Sequence, residues 1–196
     1  GDASMMNRVR PVLMTQQGNA QSTLEQALNW LDAYARRQTP SRTVSSYVYG
    51  AGGSGYYGVN TEPADKTNAN AFFAAGNYPA TQNVKGFGID SVWSANFGLK
   101  HVAYEGGPSL DNFNDTQSQA INADGRMQDM MVKTHDAWSA QGGDLLVYYT
   151  LVGPGSWEFT PDITTTNTPK LNALTQLQTR ARAAVTQHLL HMGESV

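Results

Sequence analysis

Residues 99–110 carry the sequence LKHVAYEGGPSL, and this stretch decides how the rest of the chain is interpreted. Residues 100–104 are typical of a strand, which ends at Glu105 and is followed at once by two glycines and a proline. Glycine permits a sharp turn and proline cannot donate to a ladder, so we predict that the strand stops here. Functional residues of parallel α/β proteins lie at the carboxyl ends of strands. Glu105 is therefore a candidate catalytic residue; the alternative is a solvated carboxylate at a strand end.

The composition narrows the possible classes of function. The chain has 196 residues, enough for one domain with its own core. Its net charge of -3 predicts no nucleic-acid partner. The absence of cysteine excludes disulfides, thiolate zinc sites and cysteine nucleophiles. No run approaches the roughly 18 apolar residues of a membrane span. The low charge and the Asn-, Gln-, Ser- and Thr-rich loops fit an exported bacterial protein, extracellular or at the cell surface.

The hydrophobic pattern alternates between strand and helix four times along the chain. Runs of apolar, β-branched and aromatic residues predict strands at 8–15, 43–50, 100–105 and 144–152. Helical spacing predicts helices at 22–37, 89–98, 115–141 and 169–189, with a weaker signal at 69–75. Loops are predicted for the glycine-rich residues 51–58 and for a long region of about 58–88. This alternation predicts an α/β protein with a parallel sheet, organised as a single unit over residues 1–196.

Local signals support the predicted helices. Ser22 and Glu25 form a capping box, Gly98 is a typical helix stop, and Thr168 with Pro169 is a typical helix start. The first helix has an apolar face, made of Leu24, Leu28, Leu31 and Ala35. The helical region 115–141 has a candidate core face, made of Ile121, Met127, Met130, Met131, Ala137 and Trp138.

Four segments together resemble the last four strands of a (β/α)8 barrel. They are NRVRPVL (7–13), SYVYGAGGSGYY (46–57), GLKHVAYEGGPSL (98–110) and DLLVYYTLVGPGSWEF (144–159). The resemblance is to the retaining glycoside hydrolases of clan A and their bacterial carbohydrate-active relatives. It implies four β-α units, either a half barrel or part of a complete one, and covers nearly the whole chain. It also implies a β-linked polysaccharide or oligosaccharide as substrate, with neither cofactor nor metal.

The same resemblance assigns candidate roles to single residues. The nucleophile of the clan is a glutamate at the end of the seventh strand, and VAYEGG places Glu105 there. Trp157 fits a platform on which a sugar ring stacks, although it is also typical of a tryptophan that packs a loop. Tyr104 and Gln16 complete the predicted substrate-binding residues, Gln16 as a hydrogen-bonding partner of a sugar hydroxyl or simply as a loop residue.

The resemblance also implies a partner for the nucleophile. In the clan, an aromatic residue or histidine on the sixth strand often hydrogen-bonds the nucleophile and keeps it ionised. Tyr49, Tyr56 and Tyr57 border that position, and the sequence does not choose among them.

The chain departs from the clan in its second carboxylate. Retaining hydrolysis uses two carboxyl groups about 5–5.5 Å apart. The clan's acid/base is a glutamate after asparagine at the end of strand four, but the sequence has no counterpart of strands one to four and no Asn-Glu pair. Glu158 is the other glutamate near the predicted rim, and we expect it to point outward into solvent. A half barrel leaves open strand edges, so we expect a second chain, a preceding N-terminal half or a second copy to complete it.

Two other hypotheses remain open from the sequence. The chain fits a non-catalytic carbohydrate-binding or structural surface protein that derives from a barrel hydrolase. A flavodoxin-like domain is disfavoured because no phosphate-binding loop follows the first strand. His101 is expected to be structural, and His188 and His191 are expected to be surface residues near a helix end.

Overall fold

The computed structural model describes residues 6–16, 23–58, 69–74, 84–153 and 155–186. It shows an α/β fold with parallel strands and helices, as the alternation predicts. The strands are β1 (Val12–Met14), β2 (Gly50–Gly52), β3 (Gly55–Tyr57), β4 (Lys100–Ala103), β5 (Gly106–Pro108) and β6 (Leu145–Leu146). The α-helices are α1 (Glu25–Arg36), α2 (Val84–Asn96), α3 (Asp115–Ala123), α4 (Arg126–Ala140) and α5 (Pro169–Gln178). None of the helices in the described ranges is long and apolar enough to cross a membrane.

The main sheet has four parallel strands in the order β1-β2-β4-β6, so each strand lies beside the next one in the chain. Leu13 pairs with Ala51, and Ala51 pairs with His101. Ala103 pairs with Leu146 at the other edge. Helices connect the successive strands, which is the arrangement that parallel pairing requires.

The helices cover one face of this sheet. Leu13 and Ala51 pack with Leu24 and Leu28 of α1. Further along the sheet, Ala103 and Leu146 pack with a cluster that α2 and α4 supply through Phe87 and Trp138. Residues that pair across a parallel sheet share a face, so the helices bury the face of Leu13, Ala51, Ala103 and Leu146.

The opposite face of the sheet is partly open. Val12 and Leu145 alternate with the helix-facing residues, and they are 42% and 55% exposed. Val9, before β1, is also exposed. The strand predicted at residues 8–15 is limited to Val12–Met14. Its apolar residues favour a buried strand, but it is not buried, because no element among the described residues covers Val12.

A second parallel pair, β3 with β5, continues the ladder of β2 and β4. Two predictions are corrected here. The glycine-rich residues 51–58 contain strand rather than loop alone, and residues 106–108 form a strand rather than a turn that stops pairing. Glycine allows this because the two backbones approach closely: a Cβ on Gly106 would lie 2.6 Å from the carbonyl oxygen of Gly55.

Two other strand predictions are too long. Residues 43–49 contain a 3₁₀ helix, Val44–Ser46, because buried Val44 packs under α1 and turns the chain before β2. The predicted strand 144–152 is reduced to Leu145–Leu146. Val147 and Tyr149 still donate single backbone hydrogen bonds to Ala103 and Gly106, after which the chain leaves the sheet.

The helix predictions are largely confirmed, although α2 begins at Val84, five residues before its predicted start at 89 and inside the predicted loop region. The Thr168 hydroxyl caps α5 by accepting the N–H of Leu171, and Gly98 ends α2 with a φ of 69°. The region 115–141 is divided into α3 and α4, whose predicted core residues are buried except for half-buried Ala137. Helix α5 ends at Gln178, so its predicted extension is wrong over residues 179–186. Ser22, Leu189, His188 and His191 lie outside the described residues, as does most of the predicted loop region 58–88.

A third cluster fills the space between α3, α4 and α5. It surrounds Tyr57 of β3 and contains Phe72, Phe113, Ile121, Met127, Met130, Met131 and Phe159. The cluster lies beyond the carboxyl ends of the main strands, where β3 and β5 continue the parallel pairing. It packs against one side of the loops at that edge of the sheet.

Candidate functional site

Glu105 lies in a two-residue interruption of the parallel ladder, between β4 and β5. Its carbonyl oxygen accepts the backbone N–H of Gly55 at 2.7 Å, so the main chain on both sides is held in the ladder. Its side chain is half-buried, and Tyr104 beside it is 41% exposed. The structure thus places this carboxylate at the edge where the main sheet ends, on a backbone that pairing holds in position.

Tyr56 of β3 is the tyrosine that interacts with Glu105, mainly through the charge of the carboxylate and to a smaller extent through a hydrogen bond from the phenol. Burial, followed by the negative charge of Glu105, raises the pKa of Tyr56 far above its ordinary value. The phenol therefore keeps its proton and donates a hydrogen bond to the carboxylate. Such a donor stabilises the ionised carboxylate and limits the directions in which it can point.

The other two candidate tyrosines lie elsewhere. Tyr57 follows Tyr56 in the strand, so its side chain points to the opposite side and is buried in the third cluster. Tyr49 precedes β2: its N–H donates to Pro11 and its carbonyl accepts from Lys100, so it lies at the amino-terminal end of the sheet. The Arg10 guanidinium lies 4.8 Å from the centre of the Tyr49 ring. The structure therefore separates Tyr49 from Glu105.

The aromatic rings of Tyr149 and Trp157 lie further along the same edge of the sheet. The rings of Tyr149 and Trp157 are 6.0 Å apart at an angle of 64°. Tyr149 is held against the ladder because its N–H donates to the carbonyl of Gly106 at 2.9 Å, and a cis peptide bond joins it to Thr150. Electrostatic interactions with Tyr149 and Tyr104 act on the Tyr56 phenol, so these three tyrosines surround one small region.

Tyr149 is a site residue that the sequence analysis missed. The available signal was the aromatic pair in DLLVYYTL, which directly follows a predicted strand. Alternation predicts that one of two adjacent tyrosines points inward and the other outward. Tyr148 is half-buried and packs against the core, whereas Tyr149 is 44% exposed, as that rule requires.

Gln16 and Tyr104 line a common open groove of about 640 Å³, together with Met14 and Thr15. Thr15 is tied to β2 by a 2.9 Å backbone hydrogen bond to Gly52, which holds the end of β1 beside its neighbour. The structure thus brings Gln16 to the same edge as Glu105, through Tyr104. The predicted site residues Glu105, Tyr56, Tyr104, Gln16 and Trp157 therefore lie at this edge, whereas Tyr49 and the side chain of Tyr57 do not.

Glu158 does not point into solvent as expected: it is 6% exposed. Its Oε2 accepts the backbone N–H of Trp157 at 3.1 Å. The Nζ of fully buried Lys170 donates to the carbonyl oxygens of Trp157 and Glu158, at 3.1 and 2.9 Å. The segment that carries Trp157 is therefore fastened to the start of α5, which explains the burial of Glu158.

Burial lowers the pKa of Lys170 to about 7, while the charge of Glu158 acts in the opposite direction. Lys170 therefore loses its proton at a lower pH than an exposed lysine does. Its hydrogen bonds to two carbonyl oxygens persist in both states, because a neutral amine retains N–H donors.

His101 matches its expected structural role. It is buried, and its ring lies 4.2 Å from the ring of Trp138 at an angle of 34°. Within the described ranges, no group of three or more His, Cys, Asp or Glu side chains is arranged to hold a metal ion.

No family model matches the chain, and the comparisons with curated proteins and with solved structures return no match. The interpretation of the site therefore rests on its own geometry and on the resemblance of the four strand segments.

Proposed function

We propose that the chain forms one half of a retaining glycoside hydrolase, in which Glu105 is the nucleophile. The observation that carries this proposal is the Tyr56–Glu105 hydrogen bond at the end of the main sheet, beside the exposed rings of Tyr104 and Tyr149. Aromatic faces stack on the apolar faces of sugar rings, and an ionised carboxylate that a phenol orients is suited to attack an anomeric carbon.

The reaction proposed for this residue is a displacement. A Glu105 oxygen forms a bond to the anomeric carbon of a β-linked sugar while the bond from that carbon to the leaving oxygen breaks. Water later attacks the same carbon and releases Glu105. The group that protonates the leaving oxygen has no assigned counterpart among the described residues, so we assign it to the half of the barrel that this sequence does not contain.

The half-barrel interpretation is supported by the order of the strands. Neighbouring strands of the main sheet follow one another in the chain, all parallel, and the helices α1, α2 and α4 pack on one face. A barrel has the same layered order, with helices outside and strand residues inside. The exposed side chains of Val12 and Leu145 are then the inner face, which a complementary half or a second copy would cover.

The proposal is tested with substrates whose leaving group departs without protonation by a general acid. Dinitrophenyl β-glycosides have a leaving group good enough to depart unprotonated, so the nucleophile alone can form the glycosyl intermediate. A 2-deoxy-2-fluoro derivative slows the second step, and the covalent adduct is then located by peptide mass spectrometry. We expect the adduct on Glu105 and none in Glu105→Gln. An adduct on another residue, or none across a panel of β-hexosides and β-pentosides, would overturn the assignment.

A second candidate function is carbohydrate binding without hydrolysis. It is favoured by the exposed aromatic rings at this edge, where no second catalytic carboxylate is assigned among the described residues. It predicts oligosaccharide binding that Glu105→Gln leaves intact and that Trp157→Ala weakens several-fold, since a stacked ring contributes roughly 1 kcal/mol. Isothermal titration calorimetry of both variants separates this function from hydrolysis, in which adduct formation depends on Glu105.

Native mass spectrometry tests how the barrel is completed. Under the proposal, the chain forms a complex with a second polypeptide, continues from an N-terminal half or pairs with another copy, and the open face of Val12 and Leu145 is protected from solvent in that complex. Hydrogen exchange of β1 and β6 in the isolated chain and in the complex measures the protection. An extracellular or cell-surface location belongs to the same proposal.

A further inference from the structure

A cavity of about 390 Å³ lies beside the segment that carries Trp157, and the proposed hydrolase chemistry does not use it. Its walls come from the end of α3, from residues on both sides of Glu158, and from the start of α5. We call it the α3–α5 cavity. Its size is within the range of small-molecule sites, which are usually apolar and have a few placed polar groups. Phe159, Pro161 and Pro169 provide much of the apolar wall.

Asn122 orders one wall of this cavity. Its Nδ2 donates to the carbonyl of Gly155 at 3.2 Å, which fixes the orientation of the amide. Its Oδ1 is buried with almost no accessible surface, so it belongs to the wall and is not an acceptor for a ligand in the cavity.

Glu158 contributes an acceptor and the charge. It is the one ionisable side chain among the described residues that line the cavity. One of its oxygens accepts from the Trp157 N–H. Lys170 interacts with it electrostatically, but the hydrogen bonds of Lys170 go to main-chain carbonyl oxygens and not to the carboxylate. A buried carboxylate of this kind is best satisfied by a cationic donor.

We propose that the α3–α5 cavity binds a small molecule with a protonated primary amine and a compact apolar body. The ammonium donates to the Glu158 carboxylate, and the body lies against Phe159, Pro161 and Pro169. The carboxylate explains why the ligand is a donor, and its negative charge explains why the ligand is a cation rather than an alcohol. The site is separate from Glu105 and does not rest on the proposed hydrolysis.

The test compares two ligands of the same shape, cyclohexylammonium and cyclohexanol, by ¹⁵N–¹H NMR titration of the full chain at pH 8. The pKa of Lys170 is lowered to about 7, so at this pH its own charge is mostly absent while the added amine remains protonated. We expect shifts at the cavity residues and an affinity at least tenfold higher for the amine, about 1.4 kcal/mol of preference. Equal affinities, no binding of either ligand, or shifts confined to other surfaces would overturn the proposal.

Variants then assign the preference to Glu158. Glu158→Gln keeps an oxygen that can accept the Trp157 N–H and is expected to reduce the preference to below twofold. Glu105→Gln, the same chemical change at the other site, is expected to retain the full tenfold preference. A preference that survives in Glu158→Gln would contradict the assignment.

If the spectrum of Glu158→Gln is that of an unfolded chain, Ala123→Leu is used in its place. Ala123 is an exposed residue of the cavity wall, so the larger side chain is tolerated by the fold and narrows the space. We expect Ala123→Leu to weaken both ligands at least threefold. Unchanged affinities in this variant would show that the ligands bind elsewhere.

Discussion

Two glutamates, Glu105 and Glu158, lie near the same edge of the molecule and differ in almost every physical respect. Glu105 is half-buried, lies in an interruption of a parallel ladder and is hydrogen-bonded by the Tyr56 phenol. Glu158 is nearly inaccessible, accepts a backbone N–H and interacts with a buried lysine. Glu105 thus lies at an open edge that a ligand can reach, whereas Glu158 lies in the wall of a cavity.

The difference shows how a carboxylate's environment decides its use. Neighbouring aromatic rings at Glu105 remain exposed and can receive a ligand of extended shape. The walls around Glu158 enclose a limited volume, and Lys170 interacts electrostatically with its charge. Four predictions break or sharpen this contrast.

The largest expected effect is on turnover at Glu105. Glu105→Gln is expected to lower the hydrolysis of dinitrophenyl glycosides by about a thousandfold or more, because removing an attacking group has among the largest effects of any single substitution. The measurement is dinitrophenolate release, with circular dichroism as a check on folding. Glu25→Gln on α1 is the matched control and should keep wild-type turnover. Equal rates in the wild type and Glu105→Gln would remove Glu105 from the reaction.

The next effect is on stability, at the lysine beneath Glu158. Lys170→Met removes the donor from two buried carbonyl oxygens, so the free energy of unfolding is expected to fall by about 1–3 kcal/mol. Urea denaturation measures the loss. The control is Lys133→Met, which removes the partner of Asp129 in an exposed ion pair and should cost about 0.5 kcal/mol or less. Losses of similar size in both variants would mean that Lys170 does not anchor the Trp157 segment.

The same lysine predicts a pH dependence. Burial lowers the pKa of Lys170 to about 7 in the folded chain, whereas an unfolded lysine keeps its ordinary value of 10.5. Between these values the unfolded chain binds a proton that the folded chain does not, so stability rises with pH, by at most about 1.4 kcal/mol per unit. Below pH 7 both states are protonated and the contribution is constant.

The difference in unfolding free energy between the wild type and Lys170→Met isolates this contribution, since the other titrating groups are common to both. It should increase from pH 7 to pH 10. A flat difference over that range would show that Lys170 is not desolvated in the folded chain.

The last prediction concerns the phenol that orients Glu105, where the expected loss of turnover is smaller than that caused by replacing Glu105 itself. Tyr56→Phe removes one hydrogen bond to a charged group, which is worth about 1.5–3 kcal/mol and corresponds to a tenfold to hundredfold loss of turnover. Unfolding free energy should change little, because Tyr56 is only half-buried. Tyr47→Phe, a tyrosine that packs on α1, is the control. Full turnover in Tyr56→Phe would show that the hydrogen bond has no role in the reaction.

Much of the fold could be predicted from local signals. Helices with a cap or a periodic apolar face were identified correctly, as Thr168 at the start of α5 and Leu28 on α1 illustrate. Strands were less reliable, because aromatic and β-branched residues at 43–49 and 147–152 are compatible with both strand and irregular structure. Their conformation depends on whether a neighbouring strand is available to pair with them.

The candidate site was predicted in part. The position of Glu105 after a strand is readable from the chain, and so is a set of nearby aromatic residues. The choice of Tyr56 over Tyr57 and Tyr49 is not, because it depends on the resumption of pairing between β3 and β5, which places Tyr56 beside Glu105.

By itself the sequence determined an alternation of strands and helices, hence a parallel α/β arrangement, and it marked Glu105 as a carboxylate at a strand end. These features are local, since periodicity, caps and glycine content act within a few residues. The tertiary structure alone decided that residues 106–108 resume pairing, that Tyr49 lies at the far end of the sheet and that Glu158 is buried over Lys170. Each of these depends on contacts between residues distant in the chain, and a linear pattern does not encode which distant backbones and side chains meet.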